Sequence, residues 1–210
     1  MCSVLEVTSF TKTIYAHKIA YMRGYLFVHE LSPALLEQIW QYMVLLWDIL
    51  RGTQFPALLA EAPNYLIEGV KTSLFGTHIY SNYVFCTCQV DFLRQIVIRV
   101  KQYTYYPGNP IAFKNEINDT MYFIYYGEVE VLIETNDLYN PEVHDVLKEG
   151  DAFGVIQGLN PRYGHSNSYR ARTYSIILQL YRLDWDYLLE SFPDSRVEIY
   201  DRADTYQFTV

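Results

Sequence analysis

"YPGNPIAFKNEINDTMYFIYYGEVEVL" (residues 106–132) reads as three short strands joined by tight turns, with aromatics where most cores use aliphatics. Working outward from it, "TYYPG", "IAF", "MYFIYYG", "EVEVLIE", "DVLKEGD" and "RTYSIILQL" are strand-length segments punctuated by Gly, Asn, Asp and Pro. Val129, Val131 and Ile133 alternate with Glu128, Glu130 and Glu134, the pattern of a strand with one face in water. Gly108, Gly127 and Gly150 fall where a strand must reverse, which predicts positive φ.

Upstream of Tyr103 the apolar period is 3.6 rather than 2. Tyr15, Ile19, Met22 and Leu26 form one helical stripe. A second helix starts with Ser32 as N-cap and Pro33 at its first position, carries Leu36, Ile39, Trp40, Met43, Trp47 and Leu50, and is expected to stop at Gly52. The short loop between them predicts an antiparallel pair. "NYLIEGVKTSLFG" places Leu66, Val70 and Leu74 on one face with Gly76 at C′, and "VDFLRQIVIRVKQY" places Leu93, Ile96, Val97 and Val100 together. Helix resumes at Asp184, breaks at Pro193 and continues to about Asp204, and the closing "TYQFTV" favours strand. The expected fold is therefore α+β: an N-terminal helical region, residues 1–88, then an antiparallel, jelly-roll-like β-roll with flanking helices, residues 89–210.

Bulk properties narrow the function. A net charge of −8 argues against a nucleic-acid partner, which demands clustered Lys and Arg. Asp48 interrupts the most apolar run, "YMVLLWDIL", so no span of about 20 apolar residues exists, and the chain is expected to be soluble. Cys2, Cys86 and Cys88 cannot all pair internally and are too few for a closed zinc site, which points to a reducing compartment. His and carboxylate residues lack nucleophile–base spacing, so no enzyme is expected.

Pro107-Gly108, Met121 to Ile124, Gly127, Gly150-Asp151, Phe153-Gly154, Arg170-Ala171 and Phe192-Pro193 together resemble the cyclic-nucleotide-binding homology domain. Residues 19–47 look like the helical C-linker that precedes this domain in cyclic-nucleotide-gated, hyperpolarisation-activated and ether-a-go-go-type cation channels. The resemblance implies a cytoplasmic gating module of a voltage- or cyclic-nucleotide-gated, potassium-type channel, at the cytoplasmic face of the membrane. It further implies a tetramer formed through the helices, the pore domain as partner, and cAMP or cGMP as the regulatory ligand. A non-channel nucleotide sensor or scaffold built on the same roll is the alternative.

In the family a helical turn after Phe-Gly faces the phosphate, backed by an arginine, and a glutamate binds the ribose. The resemblance thus assigns the site to Phe153, Gly154, Ile156, Arg162, His165, Ser166 and Arg170. Val155 stands at the glutamate position and His165 at the arginine position, which leaves the expected affinity weak or nil. A protonated His165 would still offer a charge to phosphate, with affinity falling above roughly pH 6.5. Arg170 and Arg172 share one strand face, and Tyr206 to Val210 are expected to fold back over the pocket.

Overall fold

The computed structural model describes residues 2–28, 31–50, 62–133, 141–160 and 162–207, which divide into two compact units, Met1–Ala62 and Pro63–Val210. In the first, α1 (Cys2–Val28) and α2 (Pro33–Leu50) form the expected hairpin. Ser32 opens α2 as predicted, its carbonyl accepting from Leu36 N at 3.1 Å and its hydroxyl from Leu35 N at 3.4 Å. The helices meet through the Tyr15 and Trp47 rings, 5.2 Å apart, through the Tyr15 hydroxyl donating to the Met43 carbonyl, and through Arg23 lying 4.8 Å over Trp40. Between them runs an apolar groove of about 460 Å³ lined by Met22, Leu26, Leu36, Ile39, Trp40 and Met43. Gly52, the expected stop signal, lies outside the described residues. No described helix is long and apolar enough to cross a membrane.

The second unit begins with α3 (Asn64–Tyr80) and α4 (Val90–Arg99), followed by β1 (Lys101–Tyr105), β2 (Pro110–Ala112), β3 (Thr120–Tyr126), β4 (Val129–Ile133), β5 (Glu142–Leu147) and β6 (Ala152–Phe153). The chain continues as α5 (Val155–Leu159), β7 (Ser168–Ala171), β8 (Ser175–Tyr181), α6 (Arg182–Trp185), α7 (Leu188–Ser191) and α8 (Pro193–Gln207). The strands make two four-stranded antiparallel sheets, β1-β8-β3-β6 and β2-β7-β4-β5. Helices before an antiparallel roll are the α+β architecture expected.

Alternation along β3 and β8 serves two cores. Met121, Phe123, Leu178 and Leu180 face the helices, where they join Phe75, Ile79, Phe85, Phe92, Ile96 and Trp185. Tyr122, Ile124 and Ile177 face the other sheet and join Ala112, Val129 and Phe153 inside the roll. Phe85 is the hinge pin of the outer core, 6.1 Å from the Phe123 ring and edge-on to Trp185 at 6.3 Å. Helix α3, grouped with the N-terminal region on sequence, contributes to this core. Lys71 explains part of its seat: the ammonium donates to the Ile98 carbonyl and, at 3.0 Å, to the Val100 carbonyl, filling the open C-terminal end of α4.

Several local expectations need correction. Gly76 does not end α3 but lies buried within it, where an added Cβ would stand 3.3 Å from the Tyr80 ring. The buried face of α3 is Phe75, Gly76 and Ile79, while Leu66 and Leu74 stay exposed; Phe75 packs edge-on to Tyr125 of β3 at 5.5 Å. Alternation in β4 fails after Val131, with Leu132 buried and Ile133 exposed, at the point where the register against β5 shifts because β5 carries one extra residue, His144. Tyr206 and Gln207 are helical, not extended, because they continue α8; residues 208–210, the rest of the expected pocket-filling tail, lie outside the described residues.

Arg170 is also placed differently from expectation. Tyr169 takes the inward face of β7, so its neighbour Arg170 points to the outer surface, where Nε and Nη2 both donate to Glu130 Oε2 on β4, at 2.9 and 2.7 Å. Arg172 pairs with Glu128 at 3.3 Å, so these arginines bracket the sheet from outside the roll.

Two outcomes follow from this packing. Gly127 has φ +95, and an added Cβ would lie 2.8 Å from Ser175 Cα and against the Tyr174 carbonyl, so Gly127→Ala is expected to lower unfolding free energy by about 2 to 4 kcal/mol in urea denaturation. Arg170→Ala is expected to lower it by about 1 kcal/mol, with no further loss on adding Glu130→Ala, the coupling a double-mutant cycle would read for a half-exposed pair.

Candidate functional site at the Phe153–Gly154 turn

Strand β6 is only two residues long, yet it fixes the site, since Phe153 pairs with Tyr122 and Ala152 with Phe123 on β3. Gly154 then turns the chain with φ +70 directly into α5, the helical turn predicted over "VIQGL". No other residue fits there: a Cβ would meet the Thr120 carbonyl at 2.9 Å, Tyr122 Cδ2 at 2.9 Å and His165 Cε1 at 3.0 Å. Val155, Gln157, Gly158 and Leu159 are buried, and Ile156 is half-buried. Met121 presses on Gly158 from β3, and Arg182 closes the far end of α5 by donating to the Leu159 carbonyl at 2.8 Å.

Across the turn stands a file of rings. Phe153 lies parallel to Tyr122, with centroids 4.7 Å apart and planes 2° from parallel, and stacks on Tyr169 at 4.2 Å and 19°. His165 closes the group, 6.0 Å from Tyr122 and edge-on to Tyr169 at 5.7 Å. Such pairs contribute about 0.5 to 1.5 kcal/mol each beyond the area they bury. Strand β7 supplies Tyr169, β3 supplies Tyr122, and the loop before β7 supplies His165.

His165 is 1% exposed and held at both ends. Its backbone N–H donates to the Glu116 carbonyl at 3.1 Å and its carbonyl accepts from Asn115 N at 2.8 Å. Nε2 lies 3.0 Å from Asn118 Oδ1, while Asn118 Nδ2 donates to the Tyr122 hydroxyl at 3.2 Å, which assigns the imidazole proton to Nε2. Nδ1 is then a lone pair, buried and without a hydrogen-bond donor. Burial pushes the imidazole below its ordinary value, against the pull of the Glu116 carboxylate, and burial likewise raises the Tyr122 phenol.

The structure thus brings Phe153, Gly154 and His165 together, with Ile156 on the adjoining turn. It leaves Arg162 and Ser166 exposed on the loop and Arg170 on the outer sheet surface. The expectation of a protonated His165 ready for phosphate is corrected: the ring is an internal hydrogen-bond donor whose environment favours the neutral form. Tyr122, Tyr169 and Asn118 were missed on sequence. Tyr122 sits in β3 at a position that alternation marks as inward, the one signal that points to it, whereas Tyr169 lies in the four-residue β7, which is too short to show one.

Residues 102–192 match the family model of the cyclic nucleotide-binding domain. Over 199 residues, 92% of this chain, the sequence is 22% identical to a cyclic nucleotide-gated channel of Caenorhabditis elegans, covering 27% of that protein. It is 25% identical over 89% of the chain to cyclic nucleotide-gated channel beta-3 of Canis lupus familiaris, covering 23% of it, and 28% identical over 78% of the chain to potassium channel AKT2/3 of Arabidopsis thaliana, covering 20% of it. The chain therefore spans about a quarter of the length of these relatives. The eight-stranded roll, the Gly154 turn and these matches agree: the segment from Gln102 to Phe192 is similar to the cyclic nucleotide-binding domain.

Proposed function

We propose that the chain is the cytoplasmic gating module of a tetrameric, potassium-type cation channel, non-catalytic, whose roll keeps the family's backbone cradle but binds cAMP or cGMP weakly or not at all. The observation that carries this reading is the interior of the roll, where Tyr122, Phe153, Tyr169 and His165 lie ring against ring beside Gly154. A cyclic monophosphate needs its charge met there. Val155 offers no hydrogen bond, and Arg170 is engaged by Glu130 on the outer face. Two missing charge-assisted hydrogen bonds, at about 1.5 to 3 kcal/mol each, weaken binding by a hundredfold or more.

The hairpin of α1 and α2 supports the assembly half of the reading. Its groove is apolar, and Trp40 remains 39% exposed on the groove's rim, more apolar surface than a free two-helix hairpin keeps in water. In the channel relatives that this chain matches over most of its own length, the matching region is a part of a larger polypeptide. In the proposed module the hairpin carries the contacts between subunits and transmits movement of the roll to a pore.

Calorimetric titration of the full chain at pH 7.5 is expected to give no binding of either nucleotide below millimolar concentration, and light scattering to give a species larger than a monomer that Trp40→Glu reduces to one. Micromolar affinity for cAMP or cGMP would overturn the first half of the proposal, and a strict monomer at high concentration the second.

A further inference from the structure

Among the described residues, the His165 Nδ1 lone pair stands out: it belongs to a ring 1% exposed, it has no donor, and the ring is packed against the one glycine that starts the helical turn. An orphaned polar atom in so dense a setting is a destabilising choice that an apolar residue would avoid. Imidazole differs from an apolar ring of that size in two ways: its Nε2–H holds Asn118, and its free Nδ1 can take a proton. We propose that the proton is the effector of this roll: charging His165 expels its ring from the Tyr122–Phe153–Tyr169 file and frees the Gly154 turn and α5 to move. The proposal rests on reading the roll as a regulatory module, and it assigns that module its input.

The geometry gives the step its direction. In the resting state Nε2–H donates to Asn118 Oδ1, so the incoming proton goes to Nδ1. The new N–H has no acceptor within reach, and the positive charge sits among rings. The titratable groups that face it are Glu116 from the loop 113–119, Tyr122 from β3 and Tyr169 from β7; β6 and α5 bring Phe153 and Gln157, which do not ionise. The Glu116 carboxylate accepts from Phe113 N at 2.8 Å, which holds it at the loop's own turn. Water is therefore the best solvent for the charged ring, and the ring must leave the file to reach it.

Output follows from what the ring supports. Gly154 packs on His165 Cε1 and begins α5, and α5 is tied at its other end by Arg182 at the head of α6 and packs into the core shared with Ile199 and Ala203 of α8. Movement of the turn is thereby delivered to the C-terminal helices. Because burial favours the neutral ring, the unfolded or opened chain binds the extra proton; the closed form is fully stable above about pH 6.5 and loses stability as pH falls below that value.

The test uses the full chain, followed from pH 8 to pH 5 by near-UV and far-UV circular dichroism. The expected result is a loss of the near-UV tyrosine signal with a midpoint below about 6.5 while the far-UV signal is unchanged, absent from His165→Gln, which keeps a donor for Asn118 but cannot take the proton. In parallel, the His165 Cε1–H resonance, isolated in a chain carrying His17→Gln, His29→Gln, His78→Gln and His144→Gln, is expected to titrate at the same midpoint, a readout that stands if His165→Gln fails to fold. The same near-UV transition in folded His165→Gln, or a His165 resonance that titrates with no near-UV change or stays neutral until the chain unfolds, would overturn the proposal. Since the measurement needs no pore and no nucleotide, its failure leaves the gating assignment standing, and a monomeric, nucleotide-binding chain that still shows the transition would do the reverse.

Discussion

The pairing of β3 with β8 organises the unit Pro63–Val210. Both strands are apolar on both faces, with every residue from Thr120 to Ile124 and from Ser175 to Leu180 buried, so the sheet they form is stable only if covered twice. One cover is helical and the other is the second sheet, and the chain order of helices, strands, helices supplies them in turn. Burying a large apolar side chain contributes about 1.5 to 3 kcal/mol, so Met121, Phe123, Leu178 and Leu180 on one side and Tyr122, Ile124 and Ile177 on the other hold the two cores to a common frame. A side chain shifted in one face of β3 is felt in the other, because successive residues of one strand belong to different cores.

This frame places the Gly154 turn. Phe153 is aligned by its pairing with Tyr122, so the turn emerges at a fixed height above the inner face, and Met121, the residue before, pins α5 from the outer core through Gly158. The same alternation sets the ring file: Tyr122 points inward because Met121 and Phe123 point outward. A backbone turn made this way is maintained by the stability of the fold and needs no ligand to hold it.

Much of this was legible in the sequence, and the parts that were not share a physical cause. The change of period near Tyr103, the glycine turns, with φ of +85, +95 and +93 at Gly108, Gly127 and Gly150, and the Ser32-Pro33 helix start are local properties, encoded within a few residues. Strands β6 and β7 have two and four residues, too few for alternation to register, and only pairing with β3 and β4 makes them strands. Helix α3 carries two apolar stripes, and which one the core takes depends on the shape of β3 and not on α3 itself. The break in alternation at Leu132 likewise falls where β5, and not β4, carries an extra residue, His144. His165 was the least legible: in "GLNPRYGHSNS" it sits among polar turn formers, and its burial arises from Asn115 and Glu116, some fifty residues earlier, gripping its backbone.

The side chains at the turn make sense as a set only when the interior is considered filled. A buried carboxylate at position 155 and a guanidinium at 165, facing a file of tyrosine and phenylalanine rings with no phosphate between them, would each lose hydration without a partner, a cost of several kcal/mol per charge. Val155, 6% exposed, and a neutral His165 incur no such charge desolvation, and the rings they adjoin gain stacking and buried area. The one residual cost is the unpaired Nδ1, which a phenylalanine would have removed along with the bond to Asn118. A roll that keeps this atom trades stability for a site that can be charged, and it does so at the junction between the inner rings and the turn that starts α5, where a small displacement reaches the C-terminal helices through Arg182 and the shared core. The backbone cradle and the histidine within it are therefore complementary: one supplies a turn that can shift, the other a charge that makes it shift.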